Sequence, residues 1–199
     1  MAGSCLIGVA GGTASGKSTL VELLQRANPD DVGVMRLDDY YLDSGHIPRD
    51  ARGQLNFDQL EAFDLPSICS DLLALQDGKA IEMPSYDFES HTRTTSKQKL
   101  EARPVILVEG IIALAASEIR ECFDLGIYVY ASEELRFTRR LKRDTEERGR
   151  TEESVRLQWE NGVKDFHDRV VEPSKAHADL VIQSTRFVEA VRLLQSMLS

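Results

Sequence analysis

Short apolar runs alternate with longer stretches of helical spacing along this 199-residue chain. Residues 4–10 (SCLIGVA), 32–37 (VGVMRL), 105–108 (VILV), 125–130 (LGIYVY) and 179–182 (DLVI) are nearly continuous in apolar character, as strands buried on both faces are. Apolar positions at helical spacing occupy 19–26, 58–76, about 114–122, 132–147, 151–172 and 185–198. Strands and helices therefore alternate, and right-handed crossovers make the strands parallel. The pattern predicts an α/β fold, a five-stranded parallel sheet flanked by helices. One segment departs from it: 78–100 reads as a β-hairpin insertion with Pro84 near its bend. No repeat or linker divides the chain, so a single domain over 1–199 is expected.

Between the first strand and the first helix, Gly11, Gly12, Thr13, Ala14, Ser15, Gly16, Lys17 and Ser18 spell GxxxxGK[ST], followed by Thr19. Glycines let a backbone turn tightly with its N–H groups inward, and a helix N-terminus adds a positive dipole end. Lys17 can reach β- and γ-phosphates, and the Ser18 hydroxyl can hold Mg²⁺. A nucleoside triphosphate fits such a loop, and the surrounding pattern is that of a P-loop NTPase fold. Glu109 closes the strand VILV, where an acidic group can face the metal.

Composition narrows the partners. The chain carries 24 Lys plus Arg against 33 Asp plus Glu, a net charge of −9, which disfavours nucleic acid as a partner. No run approaches the length of a membrane span and the start MAGSCLIGVAGG lacks a basic leader, so a cytoplasmic protein without membrane contact is expected. Cys5, Cys69 and Cys122 match neither a disulfide framework nor a zinc site and read as buried thiols.

The absence of an NKxD sequence argues against a GTPase switch, although DARG at 50–53 imitates a DxxG. A small-molecule kinase instead needs a base for the acceptor hydroxyl and cations around the transferring phosphoryl group. Asp38 and Asp39 stand at the carboxyl end of the second strand, where ligands of open α/β sheets collect. Asp38 can accept the proton of an attacking hydroxyl, with Tyr40 and Tyr41 walling the acceptor site; the same pair can also simply cap a turn. Residues 136–150 hold seven of the 24 basic residues, six of them Arg. Arg136, Arg140 and Arg143 share a helix face, and Arg148 and Arg150 flank Gly149 at a hinge, as in a phosphate-clamping lid. The alternative is a solvated face paired with Glu133, Glu134, Glu146 and Glu147.

The segments GGTASGKST, LDDYY (37–41), NFDQLEAFD (56–64), MPSYDFESHTR (83–93), VILVEGIIAL (105–114), RRLKRDTEERGR (139–150) and VEPSKAHAD (171–179) together resemble the uridine/cytidine kinase family of P-loop kinases. The resemblance implies ATP-dependent phosphorylation of the ribose 5′-hydroxyl of uridine and cytidine, with ATP or GTP as donor and Mg²⁺ as cation. It implies Asp38 as general base, Asp58 as ligand of the ribose hydroxyls, and Tyr86, Phe88 and His91 around the pyrimidine, with Tyr41 also on the nucleoside. Arg140, Arg143, Arg148 and Arg150 match lid arginines, Arg148 and Arg150 toward ATP and Arg140 and Arg150 also toward the nucleoside. Gln158 matches a nucleoside-contacting Gln, and Ser18 and Glu109 the metal-binding pair. In domain terms it implies a nucleoside-binding insertion over about 46–100, a lid over about 136–165, and a homo-oligomer, commonly a tetramer. Without the resemblance, Tyr86 and Phe88 read as hairpin core and His91 as a surface residue. Two other readings remain: a kinase for another hydroxylated metabolite such as a phosphosugar or vitamin, and a non-catalytic nucleotide-binding regulator.

Overall fold

A computed structural model describes residues 3–49, 53, 55–88, 90–187 and 189–192. Five parallel strands form the central sheet: β1 (Cys5–Ala10), β2 (Val32–Arg36), β7 (Val105–Glu109), β8 (Leu125–Tyr130) and β9 (Leu180–Gln183), in the order β2-β7-β1-β8-β9. Alternate residues of the inner strands β1, β7 and β8 enter different cores. Leu6, Ile106 and Val108 face one core, whereas Ile7, Val9 and Leu107 face the other, against Leu20, Val21 and Leu24 of helix α1 (Lys17–Ala27). Strands buried on both faces have no polar side, so their sequences read as unbroken apolar runs.

The first core is closed by α2 (Leu65–Gln76) through Ile68, Leu72 and Leu75. The helical spacing predicted from 58 begins only at 65. Asp64 accepts from the Ser67 backbone N–H at 3.2 Å and Pro66 occupies the first turn, so the helix starts there; 58–64 is non-helical apart from a 3₁₀ turn at Leu60–Ala62. The second strand likewise stops at Arg36, and Leu37–Tyr40 form a 3₁₀ turn.

The insertion is a hairpin in two tiers. β3 (Ile81–Met83) pairs with β6 (Gln98–Leu100), and β4 (Tyr86–Asp87) with β5 (Thr92–Arg93), all antiparallel. Pro84 lies between the tiers, not at the bend as expected. The chain reverses between β4 and β5, where His91 adopts a left-handed backbone, φ 56°. Arg93 staples the hairpin to the turn after β2 and to the start of α2, donating to the carbonyls of Tyr41 (2.8 Å) and Tyr40 (3.2 Å) and to Asp64 (3.0 Å).

After α3 (Ser117–Arg120) and β8, helix α4 (Glu133–Glu146) is joined through Gly149, φ 62°, to α5 (Glu152–Gln158). The continuous helix expected over 151–172 is present in extent but widens into π turns at Trp159–Val163 and His167–Val171, separated by α6 (Lys164–Phe166). Of the helix expected at 185–198, 187 and 189–192 are helical; 188 and 193–198 lie outside the described residues, as do three of the four positions of the DARG segment. The cysteines are not the buried thiols expected: all three are free, Cys5 is exposed, and Cys69 and Cys122 are half-exposed. Among the described residues no helix is long and apolar enough to cross a membrane.

Candidate active site

The loop from Gly11 to Ser18 leaves β1 and enters α1. Gly11 (φ 141°) and Gly16 (φ 102°) take left-handed conformations that side chains resist, and a Cβ on Gly11 would stand 2.4 Å from the Val129 carbonyl oxygen. Gly16 caps α1 without a side-chain hydrogen bond, which leaves the first N–H groups of the helix available to an anion. The buried Lys17 ammonium donates to the carbonyls of Gly11 (2.9 Å) and Gly12 (3.1 Å). Burial pulls its pKa down, while the charges of Glu109 and Asp38 work to hold it up.

Glu109 ends β7 one strand away. Its Oε2 accepts from Ser18 Oγ at 3.1 Å and its Oε1 lies 3.9 Å from Arg36 Nε. Burial raises its pKa, against the neighbouring Lys17. Among the described residues no three His, Cys, Asp or Glu side chains gather at one point. The oxygen pair Ser18 and Glu109 thus suits a hard cation that draws its other ligands from phosphate and water.

Beside the loop opens a cavity of about 830 Å³. Thr13, Asp38, Tyr41, Asp58, Phe88, His91, Arg140, Arg143, Arg148, Arg150 and Gln158 all line it, so most residues singled out from the sequence meet here. Asp38 comes from the 3₁₀ turn after β2 and its charge acts on Lys17, Glu109 and Asp58 alike. Burial raises the Asp58 pKa, and Arg140 and Arg150 oppose that rise. Burial and the positive charge of Arg150 lower the His91 pKa, favouring neutral imidazole.

Tyr86 does not line this cavity. It packs behind Tyr41 and Phe88, at ring-centroid distances of 5.6 and 5.3 Å, and borders a smaller adjoining space with Phe88 and Arg148. Phe57, which sequence reasoning passed over, takes a place in the wall, 5.3 Å from Tyr41 and 5.0 Å from His91. Its position next to Asp58 in NFDQ was the available signal.

The arginines are not paired with Glu133, Glu134, Glu146 or Glu147. Four of them, Arg140, Arg143, Arg148 and Arg150, converge on Asp144, which is fully buried. Asp144 lies 2.7 Å from Arg143, 2.9 Å from Arg150, 3.5 Å from Arg140 and 3.9 Å from Arg148. Burial works to raise the Asp144 pKa, but Arg143 and Arg140 outweigh it and the carboxyl stays below its usual range. Gln158 Oε1 accepts from both Arg140 and Arg150 at 3.0 Å, and Arg140 also donates to Thr13 Oγ1 at 3.2 Å. The Arg148 guanidinium lies 4.9 Å over the Phe88 ring, so the arginine segment touches both the loop and the hairpin.

Residues 6–190 match the family model described as Phosphoribulokinase / Uridine kinase family. The chain belongs to that family. It is a kinase that transfers phosphate to a hydroxyl group. Among its relatives, the uridine kinase of Staphylococcus haemolyticus is 41% identical over 183 residues, covering 92% of this chain and 88% of that one. A Staphylococcus aureus uridine kinase is 40% identical with the same coverage. The phosphoribulokinase of Rhodobacter spheroides superposes with a TM-score of 0.67 at 14% identity, covering 92% of this chain and 71% of that one, a likeness of fold.

Proposed function

We propose that the protein is a uridine/cytidine kinase that phosphorylates the ribose 5′-hydroxyl, using ATP, to give UMP and CMP for pyrimidine salvage. The observation that carries this reading is the cavity that unites two carboxylates, Asp38 and Asp58, with the aromatic faces of Tyr41, Phe57 and Phe88 and a neutral imidazole, directly beside Thr13 of the phosphate loop. Flat rings suit a flat base, a carboxylate suits vicinal hydroxyls, and a second carboxylate near the loop suits proton removal from the hydroxyl that attacks.

In this mechanism the loop N–H groups and Lys17 bind the donor phosphates. Ser18 and Glu109 would hold Mg²⁺, which would supply neutralisation of phosphate charge. Asp58 grips the ribose, Asp38 takes the 5′-hydroxyl proton, and Tyr41, Phe57 and Phe88 enclose the base with His91 at its edge. Arg140, Arg143, Arg148 and Arg150 form the lid over the transferring group, and planar guanidiniums suit its spread charge. Closure of that lid onto the nucleoside-binding insertion over about 46–100, which carries the hairpin, excludes water.

The test is coupled ADP release with ATP and Mg²⁺ against a panel of nucleosides, sugars and phosphosugars. Turnover with uridine and cytidine is expected. Turnover confined to a phosphosugar or vitamin would overturn the substrate reading, and absence of ADP release with every acceptor tested would overturn the catalytic mechanism in favour of a nucleotide-binding regulator.

A further inference from the structure

One buried charge has no place in that mechanism. Arg136, in the second turn of α4, is only 3% exposed, yet its Nε and Nη1 have no hydrogen-bond partner. Among the described residues no carboxylate lies within ion-pair distance of it. It contrasts with Arg140 one turn on, which has Asp144, Gln158 and Thr13. Instead Arg136 lies 5.3 Å over the ring of Trp159 on one side and against the phosphate loop on the other. A Cβ on Gly12 would stand 2.8 Å from Arg136 Nη1 and 2.9 Å from His167 Cε1, so the guanidinium and this imidazole together back the second glycine of the loop.

His167 does not neutralise the charge. Its Nε2 faces Glu172 Oε2 at 3.6 Å, and Glu172 is already occupied by the Tyr128 hydroxyl (2.8 Å) and by Lys175. The Nδ1 of His167 is buried without a partner. A permanently charged group held dry and unpaired costs stability, which packing alone does not return. What it supplies is a positive field behind the loop, offset only in part by Glu133, Asp168 and Glu172, none of which pairs with it directly.

We infer that Arg136 is a positioning residue for the donor: it backs the loop at Gly12 and adds positive charge, held by no direct ion pair, toward the triphosphate without touching it. The inference rests on the reading of the loop as the cradle of the donor phosphates. It accounts for both oddities of Arg136, its unpaired burial and its contact with the loop, and for the close approach at residue 12, where a side chain would have to displace Arg136 or His167.

The experiment uses the full chain with Arg136→Met, neutral and of similar bulk, and Arg136→Lys, which keeps the charge. ATP and uridine affinities are measured separately by calorimetry with Mg²⁺, alongside the melting temperature of the ligand-free protein. Arg136→Met is expected to weaken ATP binding by about tenfold or more while uridine binding stays within about twofold. Its melting temperature should equal or exceed the parent's, because a dry unpaired charge has been removed. Arg136→Lys should keep ATP affinity within about threefold of the parent. Unchanged ATP affinity in Arg136→Met overturns the inference. So does a joint loss of ATP and uridine binding with a lower melting temperature, or failure of the Met variant to fold, since either makes Arg136 a structural brace. Lys and Met variants equally weak for ATP would refute the role of charge. A parent that binds uridine but no ATP would sink the donor reading itself.

Discussion

Replacing Asp144 by Asn removes one charge and almost no volume, yet four guanidiniums depend on it. Arg143 and Arg150 make close contacts at 2.7 and 2.9 Å, Arg140 stands at 3.5 Å, and Arg148 at 3.9 Å. Arg143, Arg148 and Arg150 are partly exposed, so water screens a share of each pair, and Arg148 at its distance adds little. The carboxylate itself is dry, and breaking such a buried arrangement costs about 3–5 kcal/mol. Taking the lower end because of the screening, a chain of this size should lose about 6–12 °C in melting temperature. Function should respond in a particular way. Asp144 competes with phosphate for the same guanidiniums, so Asp144→Asn should bind ATP as tightly as the parent or more tightly. The arginines would no longer be held in one geometry, and kcat should fall by about 10²-fold. Saturating Mg²⁺-ATP should narrow the gap in melting temperature, because phosphate supplies the missing counter-charge. Differential scanning fluorimetry with and without ATP, calorimetry and steady-state kinetics read all three. A melting temperature within about 2 °C of the parent, or a loss of ATP affinity parallel to the loss of kcat, would refute Asp144 as the organiser of the lid.

Asp38→Asn should bind uridine and ATP nearly as the parent does but lose about 10²–10⁴ in kcat; near-normal kcat would remove Asp38 as the base. Neutral His91 offers one donor and one acceptor to the base edge where uridine has a carbonyl and cytidine an amino group, so the parent should accept both with comparable kcat/KM. His91→Tyr should shift the preference by about one to two decades in direct competition, and an unchanged ratio would exclude His91 from base reading. His167 is lowered from 6.5 to about 4 by burial and by Arg136, so the unfolded chain takes up its proton first as pH falls. Stability is therefore full above the unfolded value and lost through the window between the two, by about 2 kcal/mol at about pH 5. Urea melts should show that slope in the parent and a shallower one in His167→Gln; equal slopes would contradict a dry, neutral His167.

The parts of this protein that were legible in its sequence are those governed by local chemistry. The run Gly11–Ser18 can be read because backbone conformation, helix N-terminus and ammonium all lie within eight consecutive residues. Strands β1, β7 and β8 can be read because burial on both faces leaves their sequence apolar, whereas the edge strand β9 buries one face through Leu180 and Ile182 and exposes Val181. Helix boundaries were less legible where capping competes with periodicity: the apolar spacing runs back to 58, but Asp64 and Pro66 start α2 at 65. What tertiary structure alone decided is which groups meet. The arginines of 136–150 have several nearby carboxylates in sequence, and only the fold of α4 against α5 selects Asp144, because it alone is carried inward on the face that Arg136 and Arg140 occupy. Tyr86 and Phe57 differ little as aromatic residues in a motif, yet packing of the hairpin against the turn after β2 puts Phe57 on the cavity wall and Tyr86 behind it. Arg136 shared a predicted helix face with Arg140 and Arg143, and sequence could not separate their roles. Arg136 and Arg140 are similarly buried; their partners differ, and a partner 18 or 127 residues away is a property of three-dimensional packing that helical spacing does not encode.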